Sequence, residues 1–292
     1  ERAMRALGDW LDLPLASITR AMVLQRYDEL KAKPSLAMRA MQVLRACHRL
    51  STSLRIEEAE DAGLAVTLPY GVDPTTRLNK RRKGWAEAKV RTDKLERAEI
   101  APWLAAVRNL PNLQEGGCPE RNALYLETLL LTGLRRRELS RLAWKHVDLK
   151  KGLLTIIADH AKNKHAHTLP LTKRVREILE LRKANPDDRT RGGLVFGVKE
   201  VYTPVKLIER ACGLHITPHA LRRTWATRAA ELGVPLPVIQ RVLNHLPARG
   251  DVTSQHYAQV GLQAVAAGMQ KVEDDLLQER GKVVAFPKAD SA

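Results

Sequence analysis

The sequence predicts a mainly α-helical protein with one small antiparallel sheet, an α+β arrangement in two domains. Three observations carry this. Apolar residues recur every three to four positions through most of the chain, the period of an amphipathic helix. One stretch departs from that period: LLTIIA at 153–158, the polar DHAKNKHA at 159–166, then HTLPL, which reads as strand, hairpin, strand. Finally, PYGVDPTTRLNKRRKGWAEAKVRTDK at 69–94 has Pro and Gly breakers and no period, and it separates two periodic blocks. A length of 292 residues also fits about two domains.

Taken in order, residues 1–75 form a helical domain, 76–92 a basic linker and 93–292 a second domain whose terminal helix and tail begin near 262. In the first block, Leu36, Ala40, Val43, Cys47, Leu50 and Leu54 make one helical stripe, with Ser35 as the expected N-cap. Arg39, Arg45, Arg49 and Arg55 fall largely off it, leaving a basic surface. Helices are expected near 96–108 and 120–132. After the strand pair they resume near 173–184, 203–212, 218–232, 236–245 and 262–279. Leu262, Val265, Met269, Val272 and Leu276 form the last stripe. No internal repeat or low-complexity tract interrupts this pattern.

Composition narrows the function. There are 49 Lys+Arg against 33 Asp+Glu, a formal charge of +16. The excess runs through both blocks, with 18 basic and 12 acidic residues in 1–94 and 31 and 21 in 95–292. A chain basic throughout calls for a polyanionic partner, nucleic acid first. Cys47, Cys118 and Cys212 lie 71 and 94 residues apart, which excludes zinc spacing and argues against a disulfide framework, so a reducing cytoplasm is expected. No apolar run approaches the roughly 20 residues of a membrane span, and no signal peptide opens the chain. The chain begins at Glu1 rather than Met, and a preceding segment is expected. The basic run at 77–94 reads as a solvated linker or as one that tracks a phosphate backbone, and the two readings are compatible.

Five short features hold polar groups suited to chemistry. In TGLRRREL, Thr132-Gly133 ends one helix and starts another, and Arg135 and Glu138 share a face at i,i+3. In PHALRRTWAT, Pro218 suits a first turn, and His219 and Arg222 are again i,i+3, spaced to grip one tetrahedral anion. VLNH places His245 at a helix end. TSQHY holds Tyr257. Lys162 and Lys164 sit at the hairpin tip. Each alone has an ordinary reading: an ion pair, a surface histidine on a basic helix, a structural tyrosine, a solvated lysine.

The ordered set, R-x-x-E, hairpin Lys, H-x-x-R, His and Tyr in a basic chain, resembles the tyrosine recombinase (phage integrase) family. TGLRRREL is similar to its first arginine box, PHALRRTWAT to its second, and VLNH with TSQHY to the end of its active site. The resemblance to the catalytic domain covers roughly 93–265, and residues 1–75 look like the family's helical core-binding domain. The flavour is that of integrases of prophages and genomic islands. These usually carry a further domain for arm-type sites, which is expected before Glu1. Three departures stand out: Asn244 where Gly is usual before the late His, Ala258-Gln259 where Ala-His often follows the nucleophile, and Arg137 where a small residue is usual.

The resemblance implies transesterification of DNA with neither metal nor cofactor. Tyr257 is the nucleophile, forming a 3′-phosphotyrosyl link and expelling a 5′-hydroxyl. Arg135 and Arg222 neutralise the phosphorane, and His245 adds a donor. His219 takes the tyrosine proton or positions the phosphate. Lys162, with Lys164 as fallback, is the acid for the 5′-oxygen. Glu138 orients Arg135 or His219. Arg39, Arg45, Lys80, Arg81, Arg82, Lys83 and Arg223 are expected DNA-backbone contacts. The implied partners are double-stranded DNA attachment sites, other protomers in a tetramer with the 262–279 helix docked in trans, and DNA-bending accessory proteins. The same resemblance implies a bacterial, nucleoid-associated location in the cytoplasm. A non-catalytic DNA-binding relic and a type IB topoisomerase-like enzyme are the alternatives.

Overall fold

The structure, a computed structural model, describes residues 1–63, 75, 93–160, 165–185, 193–245 and 260–278. The chain divides into two compact units, Glu1–Arg91 and Thr92–Ala292.

The first unit contains α1 (Arg2–Arg5), α2 (Arg20–Glu29) and the long α3 (Pro34–Asp61). Thr19 caps α2 by accepting from the Met22 amide at 3.3 Å. The expected Ser35 cap is corrected: Pro34 is itself the first helical residue and Lys33 precedes it without a side-chain cap bond. Proline fits there because the first turn leaves its N–H groups unpaired in any case. The expected stripe is also corrected in phase. Ala37, Ala40, Met41, Leu44 and His48 are the buried positions, packed with Leu7, Trp10, Ile18, Val23 and Tyr27. Cys47 is exposed, and Leu50 and Leu54 are 61% and 48% exposed. Two overlapping apolar stripes share this helix, and periodicity gives the repeat but not which of two rows faces the core.

The second unit is built around α6, and the helices leading to it are α4 (Arg97–Arg108) and α5 (Leu110–Leu113). Helix α6 (Pro119–Thr132) is buried almost along its length, including Tyr125, Leu126, Leu129, Leu130 and Leu131. It is followed by α7 (Arg136–Ser140), β1 (Val147–Asp148), β2 (Leu153–Ile156) and β3 (His167–Pro170). The strands pair antiparallel in the order β1-β2-β3, with Leu154 opposite Leu169 and Ile156 opposite His167. Strand β1 was not foreseen; two residues are too short for a period-2 signal. Then come α8 (Lys173–Ala184), α9 (Tyr202–Cys212), α10 (Pro218–Glu231), α11 (Leu236–Val242) and α12 (Leu262–Leu277). Helix α10 packs on α6, and α12 packs on α11, α10, α6 and β3. No helix among the described residues is long and apolar enough to cross a membrane.

Two helix ends set the backbone around the arginine and histidine motifs. Gly133 closes α6 in the left-handed region, φ 63°. A Cβ there would stand 3.1 Å from Leu243 and 3.2 Å from Trp225, so glycine is needed for both backbone and space. Helix α11 stops at Val242, three residues earlier than the sequence predicts. Asn244 adopts φ 48°, its amide bonds to Arg241 O at 3.1 Å and the His245 amide to Gln240 O at 2.9 Å. These two bonds are the Schellman pattern, whose left-handed position takes Gly first and Asn second. Asn thus meets the backbone requirement of a place where Gly is usual.

The last helix, expected to dock on a neighbouring protomer, finds partners for its apolar stripe within its own unit. Helix α12 packs on its own unit, with Val265, Met269, Val272 and Leu276 buried. Its buried Glu273 caps α8, accepting from the Thr172 hydroxyl and from the Arg174 amide at 2.9 Å. Asp275 accepts from Arg228 Nε at 2.9 Å and from Arg97 at 3.0 Å. An apolar stripe and two ligated carboxylates close this helix in cis.

Candidate active site

Five of the expected site residues, Arg135, Glu138, His219, Arg222 and His245, converge where α6, α7, α10 and α11 meet. Arg135 is the residue just before α7. Its amide donates to Glu138 Oε2 at 2.9 Å and its guanidinium to Oε1 at 2.8 Å. A carboxylate three residues into a helix reaches the backbone N–H at its start, so the R-x-x-E spacing fastens the arginine as well as capping the helix. Glu138 is 1% exposed and Arg135 retains partial exposure.

Arg222, on the inner face of α10, is 5% exposed. It donates to Gly133 O at 2.8 Å and to Leu243 O, and it lies 3.0 Å from His245 Nε2. Burial, then the nearby Arg135 charge, brings its pKa down to about 10, with Glu138 opposing. It remains a cation at neutral pH. Because an arginine only donates, Nε2 of His245 is the acceptor and the ring is neutral with its proton on Nδ1. Desolvation, followed by the charges of Arg222 and Arg135, holds His245 below the usual imidazole value, consistent with that tautomer. His219 stands at the exposed rim one turn before Arg222. Partial desolvation of its ring, then Arg223 and Arg222, lower its proton affinity as well, and Asp93 opposes them. Two guanidiniums over one carboxylate, edged by two neutral imidazoles, form a cradle for an anionic tetrahedral group.

The other expected residues stand apart from the cradle or outside the described chain. Lys162, Lys164, Tyr257 and the linker's Lys80, Arg81, Arg82 and Lys83 lie outside the described residues. The segment that carries Tyr257 is flanked by His245 and by Val260, whose carbonyl accepts from Arg241 of α11. Arg223 is engaged with Asp93, through Nε to the backbone carbonyl at 2.9 Å and through its terminal nitrogen to Oδ1 at 2.5 Å. Arg45 holds Thr75, with bonds of 2.9 and 2.8 Å. Both arginines therefore have intramolecular roles. Arg39 is exposed on α3.

One residue near the cradle was missed. His167 of β3 is half-buried, and among the described residues its ring nitrogens have no well-formed hydrogen bond, only the nearby Val242 backbone. Burial lowers its pKa, the Arg222 and Arg135 charges reinforce this, and Glu138 and the Val242 backbone oppose it. Nothing in HTLPL separates it from an ordinary strand histidine. The consequence for stability has a definite sign. The folded ring binds protons less well than the unfolded one, so its contribution is intact above the unfolded value of about 6.5 and is lost as pH falls through the folded value. His219 and His245 act in the same direction. Thermal midpoints should fall from about pH 7.5 to about pH 5, and fall less in His167→Phe. Equal falls in both proteins would show that this ring does not contribute.

The comparisons with known proteins agree with this arrangement. The phage integrase family matches residues 104–263, more than half of the chain. The prophage integrase IntF of Escherichia coli K12 is 28% identical over 285 residues, covering 94% of this chain and 57% of that protein. The tyrosine recombinase XerC of Pseudomonas putida KT2440 is 34% identical over 157 residues, half of each chain. The chain thus spans about half the length of the curated relatives it matches. Among solved structures, a Tn1549 transposon integrase in complex with transposon right end DNA superimposes with a TM-score of 0.59 at 18% identity, covering 93% of this chain and 92% of that one. A lambda integrase dimer bound to a core site gives 0.55 at 20% identity, covering 86% of each. At such identities these neighbours speak for the fold alone. The family match over the cradle helices and the shared fold place the chain in the phage integrase family of tyrosine recombinases, a class of DNA strand-transferring enzymes.

Proposed function

We propose that the protein is a site-specific DNA recombinase, an integrase of the prophage or genomic-island kind, that cuts and rejoins duplex DNA through a 3′-phosphotyrosyl intermediate. The observation that carries this reading is the pairing of Arg135 and Arg222 over the buried Glu138, with His219 and His245 at the rim. The pair carries two positive charges and Glu138 one negative. A phosphodiester monoanion brings the group to neutrality, and the second negative charge that develops in the phosphorane has donors already aimed at it.

In this scheme the Tyr257 hydroxyl attacks the scissile phosphorus. The Tyr Oη–P bond forms and the P–O5′ bond breaks. His219, neutral because of its surroundings, takes the tyrosine proton, and Lys162 gives one to the departing 5′-oxygen. Arg135 and Arg222 hold the non-bridging oxygens, and His245 adds its Nδ1–H. A second DNA 5′-hydroxyl reverses the step on a new partner, so the bond energy stays in the phosphotyrosyl link. The first unit, with its basic helix surface, is proposed to hold the core site. Assembly is proposed as a tetramer on DNA.

The test is to incubate the protein with DNA carrying candidate attachment sites, denature, and map the trapped nucleotide by mass spectrometry. A phosphotyrosine at Tyr257 joined to a 3′ end at one sequence is expected. An adduct on another residue, or tight binding with none, counts against the proposal. Relaxation of supercoiled plasmids lacking any site would point to a topoisomerase instead.

A further inference from the structure

We infer that Asn244 is a positioning residue for the acid step: its side-chain amide ties the turn that ends in His245 to the base of the β2–β3 hairpin. The inference rests on the proposed phosphoryl transfer with its acid at Lys162.

The geometry has two separable parts. The backbone of Asn244 needs the left-handed region, φ 48°, to close α11 in its Schellman turn. Glycine meets that need equally well, so the turn itself does not explain an asparagine. The side chain does something that glycine cannot. It is 8% exposed, and its Nδ2 donates to His165 O at 3.1 Å. The residue before it, Leu243, accepts from Arg222 through its carbonyl, and the residue after it, His245, accepts from the same guanidinium. Asn244 therefore sits between two contacts of the buried cradle arginine and reaches across to the hairpin.

His165 lies two residues before β3 and three residues after Lys162. The hairpin is held by a ladder running from Leu153–Pro170 to Ile156–His167, with the Thr155 and Thr168 hydroxyls 2.9 Å apart on one face. That ladder ends at Ile156 and His167, so His165 is beyond it. The Asn244 bond pins the chain on the hairpin side of the last rung, 79 residues away in sequence. Lysine carries its charge on a flexible four-carbon stem, so the stem's starting point decides how often the ammonium reaches one oxygen. The Asn244 strut fixes the His165 carbonyl, three residues along the chain from Lys162, relative to the phosphate cradle.

The experiment is single-turnover cleavage of two DNA substrates that differ in one atom. One has the normal bridging 5′-oxygen at the scissile phosphate and the other a bridging 5′-sulfur, which leaves as a thiolate without needing a proton. Asn244→Gly should cleave the oxygen substrate about tenfold more slowly than the wild type, the rate equivalent of one hydrogen bond. It should cleave the sulfur substrate at the wild-type rate. Asn244→Asp tolerates the turn but cannot donate, and should behave like the glycine variant on both substrates. Unchanged melting of Asn244→Gly checks that the turn is intact. Wild-type rates on both substrates, equal losses on both, or an aspartate variant that cleaves the oxygen substrate normally would each overturn the inference. If the wild-type protein forms no adduct with either substrate, the proposed function itself fails, a result distinct from the other three.

Discussion

Arg222→Ala should lose cleavage by about 10³-fold or more and should also lower stability. The two effects come from different bonds. For the reaction, the variant removes one of two guanidiniums facing the position assigned to the phosphate. Deleting a single preorganised donor typically costs about 10²–10³ in rate, and a charged, desolvated one more. For the fold, it strips donors from Gly133 O and Leu243 O, both in buried surroundings. Leaving such carbonyls unpaired costs about 1–3 kcal/mol each unless water enters. Arg222→Lys separates the two. Its ammonium keeps the charge but cannot span both carbonyls and an anion as a fork does, so it should recover part of the binding and little of the rate. Single-turnover adduct formation and thermal melting, measured side by side, check this. A Lys variant within tenfold of wild-type cleavage would mean that charge alone suffices and that the bonds to Gly133 and Leu243 do not position the group.

Glu138→Ala should uncouple DNA binding from cleavage. The carboxylate holds Arg135 by two bonds, to its amide and its guanidinium, and it lies in the field of Arg222, His245 and His167. Removing it raises the net positive charge of the cradle, which favours a polyanion at low salt. It also frees the Arg135 side chain and leaves two guanidiniums facing each other. Affinity should hold or rise while the cleavage rate falls by about 10²-fold, and stability should drop by about 1–3 kcal/mol, since the Arg135 guanidinium left behind keeps partial exposure to water. Because Glu138 favours the protonated forms of His167 and His245, the loss of stability on the acid side should extend to lower pH in the variant. Glu138→Gln can still accept from the Arg135 amide and should lose less. Affinity and rate that fall together would place Glu138 in DNA binding rather than in holding Arg135.

How far the sequence could be read varies by element. The helices of the second unit follow from their apolar period and from Gly and Pro at their ends, and most observed bounds lie within a residue or two of the expected ones. Helix α3 shows the limit: the repeat was legible, but its phase was not, because two apolar rows coexist. The residue pairs Arg135/Glu138 and His219/Arg222 were legible because i,i+3 spacing makes neighbours on a helix whatever surrounds it. His167 was not, since a strand histidine acquires its significance from groups 29 and 55 residues away that no local pattern connects to it. Asn244 was visible as a departure from a family habit. Its left-handed backbone and its reach to His165 required coordinates.

The helical class with its small sheet, the basic character of both blocks and the order of the groups suited to chemistry on a phosphate are all written in the sequence. These properties are local or additive: periodicity, charge and spacing within one turn. That Arg222 is buried, rather than a surface cation on a basic helix, emerges only when the chain packs. So do its anchors, the carbonyls of Gly133 and Leu243, 89 and 21 residues away, and the engagement of Arg223 and Arg45 within the molecule. Those outcomes depend on which backbone acceptors are brought together when α6, α10 and α11 pack, and hydrogen bonds across such distances leave no mark in the sequence around either partner.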